Sequence, residues 1–503
     1  MLCLSLLIVV VGNSSLNVTL PTLSRQLHAS TSQLQWVVAA YSLVFAGLLL
    51  SAGALGDRFG RKGALQLGLV IFLLGAGLAA SSHVMWQLIA CRALMGLAAS
   101  LIMPSTLSIL VNVFPSHERA RAIAIWASIT GAGGALGPVA SGFLLGHFWW
   151  GSVFLVNVPI IVVALLAGRV LVPTSRDPEQ ARLDPIGAGL SVVGLVTLVY
   201  GLIEAPGKGW GSPGILGIFA GAAVVLAVFV LWENRVDEPM LDMSYFRNTA
   251  FSVGTGGMVL TFFAMFGMFF LMTQYFQLVL GYSALNAAVR TVPFAVVMVL
   301  VSPSTPRFTA RFGAHRVVSA GMVLIASGMA LFGGVGVHTA YLYILPCILL
   351  MAAGMALSMS PMTASIMSAV PPRRAGAGSA MNDATRELGT SLGVAVLGSL
   401  LSSRYASHLH HLTAGLSPAA RGKATASLAG AVRVASSLPA NAARTLTVGA
   451  QNAFVDGLRL AVIVGASLAI VASVVVYRYL PHALIHSGAQ RDDVQLPATA
   501  AEQ

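Results

Sequence analysis

Fourteen apolar runs, each near the roughly 20 residues a helix needs to cross a bilayer, constrain this chain more than any other feature. They lie at approximately 2–21, 34–55, 64–82, 86–113, 121–146, 153–172, 185–204, 213–232, 249–273, 285–303, 316–336, 340–361, 380–402 and 454–480. With 57% hydrophobic and 9% charged residues, the composition excludes a soluble globular class. A length of 503 residues would by itself suggest about three domains. The repeated runs instead indicate one all-α polytopic membrane protein.

The net charge is +12. In a soluble protein this would suggest nucleic acid, but here the cations mostly stand in short loops, among them Arg58, Arg61, Lys62, Arg119, Arg121, Arg235, Arg247, Arg307 and Arg311. That placement reads as membrane topology and contact with anionic lipid, with no nucleic-acid partner. An even number of spans and the positive-inside rule put both termini in the cytoplasm of a cell-membrane protein. Met1–Val11 carries no basic segment ahead of its apolar run, so the first span is expected in place of a cleaved leader. The Ala/Ser-rich stretch 403–450 is expected to form a small outer helical hairpin. Cys3, Cys91 and Cys347 fall in apolar runs with no metal or disulfide spacing. No nucleophile–base pairing and no phosphate loop is present, which argues against an enzyme and against self-contained ATP-driven transport. No cofactor and no metal is expected.

Residues 53–62, Gly53-Ala54-Leu55-Gly56-Asp57-Arg58-Phe59-Gly60-Arg61-Lys62, put four charges between two of the runs. The pattern Gly-x-x-x-Asp-Arg-x-Gly-Arg-Lys closely resembles the cytoplasmic loop signature of the major facilitator superfamily. Asp57, at the end of one helix, is suited to reach the N-terminus of another, which favours an anion. It is expected to dock near Gly376–Ala380 as a latch, with Gly53, Arg58, Gly60, Arg61 and Lys62 shaping the loop. Arg58-Phe59-Gly60 recurs as Arg311-Phe312-Gly313, and Pro115 as Pro371, at offsets near 255 residues. Two matches at one offset argue for duplicated six-helix halves. The expected division is 1–172 for the first bundle, 173–248 for two additional helices and their linkers, 249–480 for the second bundle with the outer loop, and 481–503 for a cytoplasmic tail.

The remaining motifs resemble the fourteen-helix drug:proton antiporters of that superfamily. Asn13 to Pro21 match the first-helix signature, but Gly12 stands at the family's aspartate, which removes one candidate cation site and predicts weak handling of divalent organic cations. Asn13 and Asn17 read either as cavity lining or as interhelical hydrogen bonding. Arg92, inside a span, resembles the family's Arg-x-x-x-Gly motif, implicated there in proton transfer; a guanidinium in a bilayer segment is costly and usually functional. Gly133, Gly137, Pro138 and Gly142 resemble the antiporter motif associated with exporters, and their spacing allows close helix approach. Phe262 and Phe266 in the ninth span, and Met351 and Met355 in the twelfth, form soft apolar surfaces suited to promiscuous ligands.

A coupling proton needs a titratable group within the membrane. Of 16 acidic residues, eleven lie in polar loops or the tail. Asp57 has the latch role and Glu204 reads as an interfacial anchor. Asp383 and Glu387, one turn apart on one face, are the leading candidates, with Asp456 behind them and paired with Arg459. Arg386 is expected to point elsewhere on the helix. Together these features imply a monomeric, proton-driven exporter of small amphipathic drugs or antibiotics. A dedicated metabolite or amino-acid exporter, or a non-transporting membrane sensor of the same fold, are the alternatives.

Overall fold

The computed structural model describes residues 1–174, 184–237, 239–370 and 375–481. Its helices are, in order, α1 Leu2–Gln26, α2 Thr31–Phe59, α3 Arg61–Ala80, α4 Met85–Val113, α5 Ser116–His147, α6 Ser152–Leu155 and α7 Asn157–Leu171. The pair α8 Pro185–Lys208 and α9 Pro213–Glu233 follows. After them come α10 Thr249–Gln274, α11 Ala284–Val301, α12 Thr305–Phe312, α13 Ala314–Phe332, α14 Tyr341–Ser368 and α15 Ala375–Leu412. The described residues end with α16 Pro418–Ala426, α17 Leu428–Ala435 and α18 Ala440–Tyr479.

Among the described residues, twelve helical spans are both long and apolar enough to cross a membrane. The fifth and thirteenth expected spans fall on α5 and α15, which run 32 and 38 residues and are long enough to cross. Both are packed among other helices, α5 against α1 and α11, and α15 against α10, α2 and α18. On α15 the described polar residues Asn382, Thr385 and Thr390 are buried against protein, where they can be paired.

The internal repeat has a geometric counterpart. Arg58 lies over the Phe59 ring at 5.4 Å, and Arg311 over the Phe312 ring at 5.3 Å. Gly60 (φ 115°) and Gly313 (φ 83°) then turn the chain directly into the next helix. A side chain at either position would be strained, so glycine makes the abrupt helix-to-helix turn possible.

The two bundles are held together towards the face where α1 ends and α2 begins. Gln35 Nε2 donates to the carbonyls of Val394 (3.0 Å) and Ala395 (2.9 Å) and to Ser399 Oγ (3.2 Å). Gln277, on a π-helical turn at Tyr275–Val279, donates to the Val18 carbonyl at 2.8 Å. At α5, a methyl group on Gly142 would sit 2.8 Å from Leu285 Cα, so this glycine allows α5 to press on α11. The α16–α17 hairpin lies at the same face: Thr31 Oγ1 donates to the Ala426 carbonyl at 3.2 Å, and Tyr405 OH to that of Ala424 at 2.9 Å. The expected outer hairpin is therefore short, because α15 and α18 extend well beyond the apolar runs.

Candidate functional site

The centre of the site is Arg92 on α4, which is fully buried. Its Nε donates to the Val37 carbonyl (3.1 Å), Nη1 to the Gly12 carbonyl (3.4 Å) and Nη2 to Asn13 Oδ1 (3.3 Å). Its guanidinium lies 4.2 Å over the Tyr41 ring. Backbone carbonyls, an amide and a π-face thus solvate the cation, while none of them cancels its charge. Gly12 has little room for a larger residue, since a Cβ there would stand 3.0 Å from Phe72 Cζ. Where the antiporter signature has an aspartate, this chain offers Arg92 only a carbonyl oxygen.

An acidic side chain of the other bundle acts on Arg92 electrostatically. Glu387 on α15 has Arg92, Tyr41, Ser42, Asp383 and Arg386 as its electrostatic neighbours. The residue is half-buried, and its enclosed Oε2 has no hydrogen-bond partner. Ser42 lies alongside without reaching hydrogen-bond geometry, and the Tyr41, Ser42 and Ser391 hydroxyls are likewise buried and unpaired. Unpaired buried polar atoms cost about 1–3 kcal/mol each, so this seam is poorly satisfied in the conformation described.

Asp383 is placed differently. Arg386 turns back onto it, with Nη1 3.1 Å from Oδ1, contrary to the expectation that Arg386 points elsewhere. The reason is that residues three apart share a helix face, and the long side chain closes the gap. Arg386 also lies 5.1 Å over the Phe262 ring and 3.4 Å from Met359 Sδ. Asn382 Nδ2 adds a 3.4 Å contact to Asp383, and Thr363 Oγ1 donates to Asn382 Oδ1 at 3.0 Å.

The other candidates are distributed around this core. Asn17 is half-buried on α1. Phe262 stacks on Phe266 with centroids 5.6 Å apart. Met355 is buried, and Met351 is packed where a Cβ on Gly328 would meet it, between α13 and α14. On α5, Gly133 and Gly137 receive α1: Ser14 Oγ donates to the Gly133 carbonyl (3.1 Å) and Ser15 Oγ to that of Gly137 (3.2 Å). Ser141 Oγ donates to the Pro138 carbonyl at 3.0 Å. Asp456 pairs with His408 Nδ1 at 3.1 Å and more loosely with Arg459 at 3.9 Å, and it is 41% exposed. At the loop, a Cβ on Gly53 would stand 3.6 Å from Pro104 Cβ, and Lys62 Nζ donates to the Arg169 carbonyl at 2.8 Å. The side chains of Asp57, Gly376 and Ala377 lie outside the described residues. Tyr41, Ser42, Ser391, Gln35 and Gln277 were missed in the sequence; a polar residue in an apolar run was the only signal available for them.

A description of the Major Facilitator Superfamily matches residues 2–394. The chain belongs to this superfamily. As a member of it, the protein is a multi-pass membrane transporter. It is 36% identical to the multidrug efflux pump LfrA of Mycolicibacterium smegmatis over 94% of each chain. It is 33% identical to the tetracenomycin C resistance and export protein of Streptomyces glaucescens, covering 90% of this chain and 86% of that one. It is also 33% identical to the methyl viologen resistance protein SmvA of Salmonella typhimurium, over 89% of this chain and 90% of that one. Among solved structures, a bacterial homologue of the human lysosomal transporter Spinster, inward-facing and unoccupied, superposes with a TM-score of 0.65 at 17% identity. That match covers 95% of this chain and 96% of that one.

Proposed function

We propose that this transporter exports small amphipathic drugs or antibiotics across the plasma membrane in exchange for protons. Efflux by relatives named as multidrug and antibiotic exporters supports the direction and the substrate class. The observation that carries proton exchange is Glu387, a carboxylate on α15 with an unpaired, enclosed oxygen, standing across the bundle seam from Arg92. A group that titrates at the seam of two moving bodies can take a proton from one side and release it to the other. With both termini in the cytoplasm, the joined face is the outer one and the conformation is inward-facing. Alternating access then requires Gln35 and Gln277 to release their carbonyls while the opposite face closes. Asp57 is assigned to the latch of that opposite face. Phe262, Phe266 and Met359, beside Arg386, supply an apolar wall for the substrate.

Proton release on substrate addition to purified protein tests the reading. Wild type is expected to release protons when a monocationic amphipathic dye is added, and to drive dye into everted vesicles only with a proton gradient. Glu387→Gln is expected to bind dye and lose both responses. Gradient-independent accumulation, or dye binding without movement as in a sensor, would overturn it.

A further inference from the structure

A second pair of buried carboxylates lies outside the bundle seam, where α8 begins and α9 ends. Asp184 is 7% exposed and Glu233 2%. Asp184 caps α8 by accepting the Gly187 amide at 2.8 Å, and it also accepts the Trp232 indole N–H at 3.0 and 3.1 Å. Glu233 Oε2 accepts the Leu241 amide at 2.8 Å, which fastens the linker that leads into α10. Glu233 Oε1 is buried and has no partner. A side chain on Gly187 would collide with both Asp184 Oδ2 and Glu233 Oε1, so the two oxygens converge over one glycine Cα.

The surroundings supply no counter-charge among the described residues. Facing Glu233 are Asp184 from α8 and the Leu241 and Met240 amides from the linker. On the α2 side the uncharged Ser51 meets the linker at Met240 Sδ, 3.1 Å away, and α15 meets α8 through Ser399 on the Leu202 carbonyl. Arg235 and Asp237 are exposed, and Asp242 Oδ1 accepts the Ser244 amide. Glu233 also stands in the last turn of α9, where the helix dipole disfavours an anion. Two adjacent buried carboxylates cannot both stay ionised at reasonable cost. A proton on Oε1 converts the one unpaired acceptor into a donor aimed at Asp184 Oδ2, and completes the hydrogen bonding.

We propose that Asp184 and Glu233 form a proton-binding site that holds one proton between them, tying the end of α9 and the Leu241 linker to the start of α8. The site is independent of the coupling proton assigned to Glu387. Below neutrality the fold keeps a proton that the unfolded chain has already released, so by linkage stability falls as pH rises from the ordinary carboxylate range to the point where the folded pair lets the proton go.

The test uses the purified full chain in detergent. For wild type, the unfolding equilibrium constant is expected to carry an excess rise, relative to Glu233→Gln, that approaches about tenfold per pH unit as pH rises from about 5 towards about 7 and levels off above that. In Glu233→Gln, the amide donates to Asp184 Oδ2 while its oxygen still accepts from Leu241, so the variant keeps the fold without the proton. Asp184→Asn donates to Glu233 in turn and is expected to lose the same pH-dependent component. Infrared spectra at about pH 6 should show a protonated-carboxyl component in wild type, beside any from Glu387, that is missing from both variants. Wild-type pH slopes in both variants, or an unchanged band, would overturn the proposal. If Glu233→Gln does not fold, Asp184→Asn and the wild-type band decide.

Discussion

Arg92 and Arg386 are arginines inside spans of opposite bundles, and they are satisfied in opposite ways. Arg386 has a carboxylate of its own one turn away, at 3.1 Å, and a phenyl face. Arg92 has two carbonyls, one amide oxygen and a phenol ring, and no carboxylate of its own bundle within hydrogen-bond reach. Arg386 has a counter-ion on its own helix, whereas the carboxylate that Arg92 acts on, Glu387, lies across the seam and is under the influence of Arg386 as well. The contrast distinguishes two acids that look equivalent in sequence: Asp383 is paired with Arg386, and Glu387, with an unpaired oxygen, is the one proposed to carry the proton.

Arg92→Lys should break the comparison most severely. A lysine keeps the charge but cannot reach three divergent acceptors, and hydrogen bonds to charged groups are worth about 1.5–3 kcal/mol each. Expression with at least tenfold slower efflux is expected; wild-type rates in vesicles would show that the fork geometry is irrelevant. Asp383→Asn should cost less, about 3 kcal/mol at most, since an amide retains part of the contact to Arg386. The uncancelled Arg386 would then favour the charged form of Glu387, so efflux should need a more acidic outer medium. An unchanged pH profile would return Asp383 to equal standing. Asn13→Ala should have the smallest effect, about 1 kcal/mol, because it removes one 3.3 Å acceptor of three. A thermal-shift comparison with wild type measures it, and a larger loss would mean that Asn13 carries substrate contacts as well.

Much of the fold was legible because span length and charge placement are one-dimensional signals. The Arg-Phe-Gly repeat was legible too, and each copy ends one helix with a cation over a ring and a left-handed glycine. Partner choice was not legible. The spacing of Asp383 and Glu387 placed them on one face, but the same spacing rule allowed Arg386 to claim Asp383. Gln35 was visible as an amide in an apolar run, whereas its acceptors at Val394, Ala395 and Ser399 are some 360 residues away.

Sequence alone determined that the chain crosses the membrane repeatedly and which stretches are long and apolar enough to do so, because a bilayer sets helix length; the repeated Arg-Phe-Gly turn is likewise a local pattern that sequence shows directly. The tertiary structure alone decided which charges meet. Long side chains reach across helices that are remote in sequence, and a buried charge is stable only where carbonyls, rings or counter-charges converge on it. That convergence makes Arg92 an uncancelled cation, leaves an oxygen of Glu387 unpaired, and brings Asp184 against Glu233 between the two extra helices.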